Sequence, residues 1–148
     1  MIIKDTKILL VEDSPDDVEL TLLAFKKYNF SNDIIVARDG QEALDILFPS
    51  KEKSKKSKLP DIILLDLKLP KVSGLDVLKE IKAHPETRII PVIVLTTSNE
   101  DRDIRDSYLL GVNSYIRKPV EFNKFVEVVK QLGLYWILLN EIPSHKEE

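Results

Sequence analysis

Four short clusters in this chain hold the residues able to do chemistry. Glu12-Asp13 pairs two carboxylates, and Asp66 follows an apolar run. Thr96-Thr97-Ser98 offers hydroxyls, and Lys118-Pro119 offers an ammonium. Singly, each has an ordinary reading as a helix cap, a turn residue, a satisfied hydroxyl or a loop lysine. Brought together, they mean something else. Clustered carboxylates repel one another, so either a pKa rises or a cation binds. Carboxylate oxygens with room for water and phosphate suit Mg²⁺, which takes few protein ligands and keeps several waters. A carboxylate beside that ion can attack a phosphoryl group and become an aspartyl phosphate. Metal and ammonium would then neutralise charge on the equatorial oxygens.

The elements around these residues must bring them together. Lys7 to Val11 is a short, mostly apolar run that suits a buried parallel strand. Ser14 follows as an N-cap, Pro15 fits the first helical position, and Asp17 completes a start resembling a capping box. Val18, Leu22 and Phe25 then mark one helical face. Ile34 to Ala37 reads as a second strand, and Asp39-Gly40 opens a helix carrying Ala43, Leu44 and Leu47 that Pro49 ends. Ile62 to Leu65 is a strand with Asp66 at its end. Leu75, Leu78 and Ile81 mark a helix stopping before Pro85. Val92 to Leu95 is a fourth strand. Asp101 to Leu110 is a polar helix closed by Gly111. Ser114 to Ile116 is a fifth strand, and Phe122, Phe125, Val126, Val129, Leu132 and Trp136 line one face of a long last helix. Five strands alternating with five helices imply a parallel sheet covered on both faces, doubly wound by right-handed crossovers. In such sheets, sites form beyond the strand carboxyl ends. All four clusters fall there.

The bulk properties narrow the partners. The 148 residues fit one domain with a substantial core. A net charge of −3 argues against nucleic acid as the main partner. The absence of cysteine removes disulfides, thiolate metal sites and cysteine nucleophiles, and agrees with a reducing cytoplasm. The N-terminus runs straight into a strand with no secretion signal. No apolar run approaches the roughly 20 residues needed to cross a bilayer. Ser50 to Lys58 is a lysine-rich stretch that reads as a solvated loop or, less simply, as a basic contact for an acidic partner.

Glu12-Asp13, the run LLDLKLPKVSGLDVL from Leu64 to Leu78, Thr96 to Ser98, and Tyr115 followed by Lys118-Pro119 together resemble the receiver domains of two-component response regulators. The resemblance covers about residues 5–140. It implies a flavodoxin-like α/β fold with five parallel strands in the order 2-1-3-4-5 and five helices. Further, it implies that Asp66 is the phosphoacceptor. Mg²⁺ would be held by Asp13, by Glu12 through water, by Asp66 and by the backbone carbonyl of Lys68. Thr96 would turn its hydroxyl toward the phosphoryl group, Lys118 would pair with a phosphoryl oxygen, and Tyr115 would be the aromatic switch that moves with Thr96. The Lys118-Pro119 bond resembles the family's cis peptide. Thr97 stands where a small residue is usual and could narrow the path of attacking water. With the charge of Lys68 nearby, slow hydrolysis of the phosphoryl group is expected.

The resemblance also sets expectations about organisation. One receiver domain is expected over 1–148, with a flexible tail at about 141–148 and no output domain. The signal would therefore leave by protein–protein contact. The 51–58 loop and the last helix with Tyr135-Trp136 resemble receiver-only regulators serving phytochrome-like or hybrid histidine kinases. Partners would be that kinase and a downstream target or phosphotransfer protein, while Tyr135 and Trp136, near the surface end of the last helix, read either as core-edge aromatics or as part of a homodimer or partner interface. DNA binding and membrane insertion are not expected.

Three other functions compete. A phosphohydrolase using an aspartyl phosphate needs an acidic residue two positions after its nucleophile, where this chain has Lys68. A flavin-binding module needs a hydroxyl- and glycine-rich cradle after the first strand, where this chain is acidic from Glu12 to Asp17. A degenerate receiver acting as a scaffold is opposed by the full set of site residues. Neither histidine helps a rival, since His84 reads as a helix-end residue and His145 lies in the tail.

Overall fold

The structure, a computed structural model, describes residues 6–27, 33–50, 58–118, 121–133, 135 and 141. Expectations for the lysine-rich 51–57 stretch, the Lys118-Pro119 bond, Trp136 and the tail from Pro143 fall outside these residues.

The strands are β1 (Lys7–Val11), β2 (Asp33–Ala37), β3 (Ile62–Leu65), β4 (Val92–Thr96) and β5 (Ser114–Arg117). They form one sheet in the order β2-β1-β3-β4-β5, every neighbouring pair parallel. The helices are α1 (Pro15–Lys27), α2 (Gly40–Leu47), α3 (Gly74–Ala83), α4 (Asp101–Leu109) and α5 (Phe122–Leu132). This is the flavodoxin-like doubly wound fold expected from the sequence. The central strands β3 and β4 are buried along their whole length, as strands covered on both faces must be.

Alternation along the strands splits the core in two. Ile8, Leu10, Ile62, Leu64, Ile93 and Leu95 point to the face covered by α1 and α5, against Val18, Phe25, Phe125 and Val129. Leu9, Val11, Ile63, Leu65, Val92 and Val94 point to the other face, against Ala43 and Leu47 of α2 and Val77, Leu78 and Ile81 of α3. Burial of such side chains contributes about 1.5–3 kcal/mol each, so these two layers fix the register of the sheet. Register in turn fixes the strand ends. Val11 is level with Leu65, Leu65 with Val94, and Thr96 with Arg117.

Three local expectations need correction. The buried stripe of α1 is Val18, Thr21, Ala24 and Phe25, and Leu22 is exposed. Thr21 can be buried because its hydroxyl donates to the Asp17 carbonyl at 2.7 Å. Phe122 begins α5 more than half exposed, and the buried face starts at Phe125. The capping box at α1 is only half formed. The Asp17 amide donates to Ser14 Oγ at 3.3 Å, but the Ser14 amide donates to Glu12 Oε2 at 3.3 Å, and the Asp17 carboxylate is engaged elsewhere. The helix start at Asp39 and the stop at Gly111 behave as expected. Asp39 accepts from the Glu42 amide, and Gly111, with φ 97°, supplies the left-handed turn after α4. Ser73, which the sequence reading did not single out, caps α3 by accepting from the Asp76 amide. His84 caps the C-terminus of α3, with its ring against Phe48, the C-cap of α2.

Candidate functional site

Residues just past the carboxyl ends of parallel strands share one edge of the sheet. Glu12 and Asp13 follow β1, Asp66 follows β3, and Lys118 follows β5. The Asp66 amide donates to the Val11 carbonyl at 3.0 Å and the Lys118 amide to the Thr96 carbonyl at 2.7 Å, so the ladder holds both backbones. Glu12, Asp13 and Asp66 each offer a carboxylate oxygen, all within 4.8 Å of one another. Glu12 and Asp66 are buried and Asp13 is exposed, so the group opens to solvent on the Asp13 side. An all-oxygen donor set of this size, open to water on one side, fits a divalent cation.

Lys118 ties the group together. Its ammonium contacts Glu12 Oε1 in a short ion pair, Asp17 Oδ2 at 2.9 Å and Asp66 Oδ2 at 3.2 Å. Burial works against its charge, but the hydrogen bonds to Glu12 and Asp17 and the Asp66 charge outweigh it and raise its pKa. The lysine therefore stays charged. Burial pushes the Glu12 carboxyl well above the usual range, with the Asp66 charge adding, although Lys118 pulls against both. Four carboxylates around one ammonium leave an excess of negative charge, which a cation would relieve.

The β4 end carries the hydroxyls. Thr96 is fully buried, and its Oγ1 faces the Ser98 amide at 3.4 Å. Thr97 and Lys68 are exposed, and the Lys68 amide donates to Asp66 Oδ1 at 3.2 Å. Tyr115 is half-buried on β5, and its hydroxyl donates to the Ser98 carbonyl at 2.9 Å. Burial, with the charges of Asp103, Asp66 and Glu100, keeps its phenol protonated to higher pH than usual.

Three residues, Asp17, Asp103 and Gly74, escaped the sequence reading as parts of the site. Asp17 was legible only as part of a helix start, yet it reaches Lys118. Ser98 and Asp103, both buried, share a 2.6 Å hydrogen bond that ties the β4–α4 turn to α4. Gly74 begins α3 directly against the Asp66 backbone, where a Cβ would lie 2.2 Å from the Asp66 carbonyl oxygen. The one signal for Gly74 was a glycine at a helix start, which alone says nothing of what it touches.

Among the described residues, no helix is long and apolar enough to cross a membrane. Residues 8–130 match the family model of the response regulator receiver domain. The chain is 43% identical over 137 residues to the "Probable methanogenesis regulatory protein FilR2" of Methanothrix harundinacea, covering 93% of this chain and 87% of that one. It is 39% identical over 137 residues to the response regulator Rcp1 of Synechocystis, covering 93% of this chain and 92% of the other. The crystal structure of the Mn²⁺-bound form of Rcp1 superposes with a TM-score of 0.88, covering 94% of this chain and 99% of that one. That of the phosphorylated cyanobacterial phytochrome response regulator RcpA is 40% identical, covers 95% of this chain and 100% of that one, and has a TM-score of 0.89. With its acidic cluster, buried lysine and strand order, the chain belongs to the response regulator receiver domain family.

Proposed function

We propose that Asp66 accepts a phosphoryl group from a sensor histidine kinase, with Mg²⁺ as the cofactor. The observation that carries this reading is the convergence of Glu12, Asp13 and Asp66 with the Lys118 ammonium resting on Asp66. Asp13 and Asp66 would hold the ion directly, Glu12 through water, and the Lys68 backbone carbonyl would complete the protein's share. When bound, Mg²⁺ neutralises charge on the phosphoryl oxygens. The chain's own residues do the rest. The Asp66 carboxylate is the nucleophile, and Lys118 pairs with a phosphoryl oxygen. Thr96 turns its hydroxyl to another oxygen, Tyr115 follows Thr96, and Thr97 borders the path of attacking water.

The chain is read as one receiver domain over 1–148, not an enzyme with a separate substrate, that signals in the cytoplasm by protein–protein contact without binding DNA. Similarity to the cyanobacterial phytochrome response regulator RcpA supports a phytochrome-like kinase as donor, with a hybrid kinase as the alternative. A downstream protein, a phosphotransfer protein or a second copy of the chain would receive the signal. The test is intact-mass measurement after incubation with acetyl phosphate. A Mg²⁺-dependent gain of one phosphoryl group, absent in Asp66→Asn, is expected. No gain from acetyl phosphate or from a histidine-phosphorylated donor would refute the reading and leave the chain a scaffold.

A further inference from the structure

Lysine has three N–H donors and no acceptor. Lys118 spends one on each of three carboxylates, those of Glu12, Asp17 and Asp66. Glu12 and Asp66 belong to the acidic group already described. Asp17 is the third residue of α1, and helix capping does not account for its carboxylate, because the Ser14 amide turns to Glu12 instead. The Asp17 contact at 2.9 Å is of charge-assisted length, whereas the Asp66 contact at 3.2 Å is the longest of the three. Asp17 is also the most exposed of these partners, at 27% against 4% for Glu12 and 7% for Asp66, so the buried ammonium is held from its solvent side by Asp17.

We propose that Asp17 is a positioning residue for phosphoryl transfer: with Glu12 it occupies two N–H groups of Lys118, so that the third passes from Asp66 to a phosphoryl oxygen. This rests on Asp66 being the phosphoacceptor. In that step an Asp66 carboxylate oxygen forms the bond to phosphorus. The bond from phosphorus to the donor breaks, and its electron pair leaves with the donor. Lys118 keeps all its protons. Negative charge moves from the Asp66 carboxylate to the phosphoryl oxygens, and the weakest-held N–H follows it. Without Asp17, the ammonium settles onto Glu12 and Asp66 alone and masks the nucleophile.

The test compares the rate of phosphorylation by acetyl phosphate, with Mg²⁺, in the full chain and in Asp17→Ala and Asp17→Asn. Each is made with Lys118 intact and in a Lys118→Met background, which keeps the apolar stem of the side chain. Urea unfolding confirms that every variant is folded. Asp17→Ala should slow phosphorylation about tenfold or more, the usual loss for a residue that orients a site. Asp17→Asn, which keeps an acceptor oxygen, should lose less. In Lys118→Met, Asp17→Ala should change nothing, because Asp17 acts through the lysine. Affinity for beryllofluoride, a phosphoryl mimic, should follow the same pattern and can be read where rates are too slow. Mg²⁺ affinity should hold within about twofold. An equal loss in both backgrounds, an unchanged rate in Asp17→Ala, or a faster rate in Asp17→Asn would overturn the proposal. A wild-type chain that takes no phosphoryl group would instead overturn the reading of Asp66, and this proposal with it.

Discussion

Gly74→Ala tests whether the start of α3 is built around the phosphoacceptor. The new Cβ would lie 2.2 Å from the Asp66 carbonyl oxygen, 2.5 Å from Leu67 Cα and 3.0 Å from the Asp66 carbonyl carbon. All three are backbone atoms, so no side chain can swing aside. Restoring an ordinary contact of 3.4 Å requires α3 and Asp66 to part by about 1.2 Å. That movement also stretches the 3.0 Å hydrogen bond from the Gly74 amide to the Leu67 carbonyl. Overpacking costs about 1–3 kcal/mol, and the strained hydrogen bond adds about 1 kcal/mol. Alanine's helix preference returns only about 0.5–1 kcal/mol, so destabilisation wins by about 1–3 kcal/mol. Function should suffer more than stability, because a displacement of about 1 Å at a reacting group can cost on the order of 100-fold in rate. Urea midpoints at constant slope would read the first effect, and Mg²⁺-dependent phosphorylation by acetyl phosphate the second. Gly111→Ala is the control. Its φ of 97° makes alanine strained, but its Cβ meets only the flexible Lys82 side chain, so stability alone should fall. A Gly74→Ala protein with wild-type midpoint and a rate within about twofold of wild type would refute the reasoning.

Other outcomes follow from the same geometry. Mg²⁺ should raise the unfolding free energy by about 2.7 kcal/mol at a hundredfold excess over its Kd, and Asp13→Ala should lose most of this; an equal gain in the variant would remove Asp13 from the ligand set. The raised Tyr115 pKa favours the protonated phenol in the folded state, so its stability contribution is complete below the ordinary value of 10.0 and is lost as pH rises through the higher folded value. Tyr115→Phe should therefore show a smaller drop in urea midpoint than wild type between pH 9 and pH 11, and an identical drop would contradict the sign. Phosphorylated Asp66 should persist for minutes or longer, and Thr97→Ala should shorten that lifetime several-fold by opening the path of water. Decay within seconds in the wild type would end that idea. Ser73→Ala should cost about 1 kcal/mol through loss of the α3 cap, measurable by chemical denaturation.

What could be read from the sequence was local in origin. Apolar runs such as Ile62 to Leu65 identified strands, and the helix start at Asp39-Gly40, the Ser14 cap and the glycine at 111 punctuated helices. These signals act over a few residues and need no tertiary partner. Alternation of strand and helix then required a parallel sheet, and the sheet put Glu12, Asp13, Asp66, Thr96 and Lys118 at one edge. Faces were read less well. Leu22 and Phe122 fit the helical period but lie exposed, because burial depends on which neighbour a helix meets, and Thr21 took a core place once Asp17 offered a carbonyl.

Side-chain pairing across long sequence separations was not legible. Lys118 meets Asp17 and Asp66 only because the parallel sheet brings the carboxyl ends of β1, β3 and β5 to one edge and α1 begins directly after β1. Nothing near Asp17 in the chain distinguishes a lysine partner from a capping role, and nothing near Gly74 announces the Asp66 backbone 2.2 Å from where its Cβ would be. The sequence by itself determined the elements, their order and the residue types at the strand ends, because hydrophobic period and capping are short-range. Only the tertiary structure decided which carboxylate holds which N–H of Lys118 and how close α3 comes to Asp66, because those contacts form when packed layers fix distant segments in register.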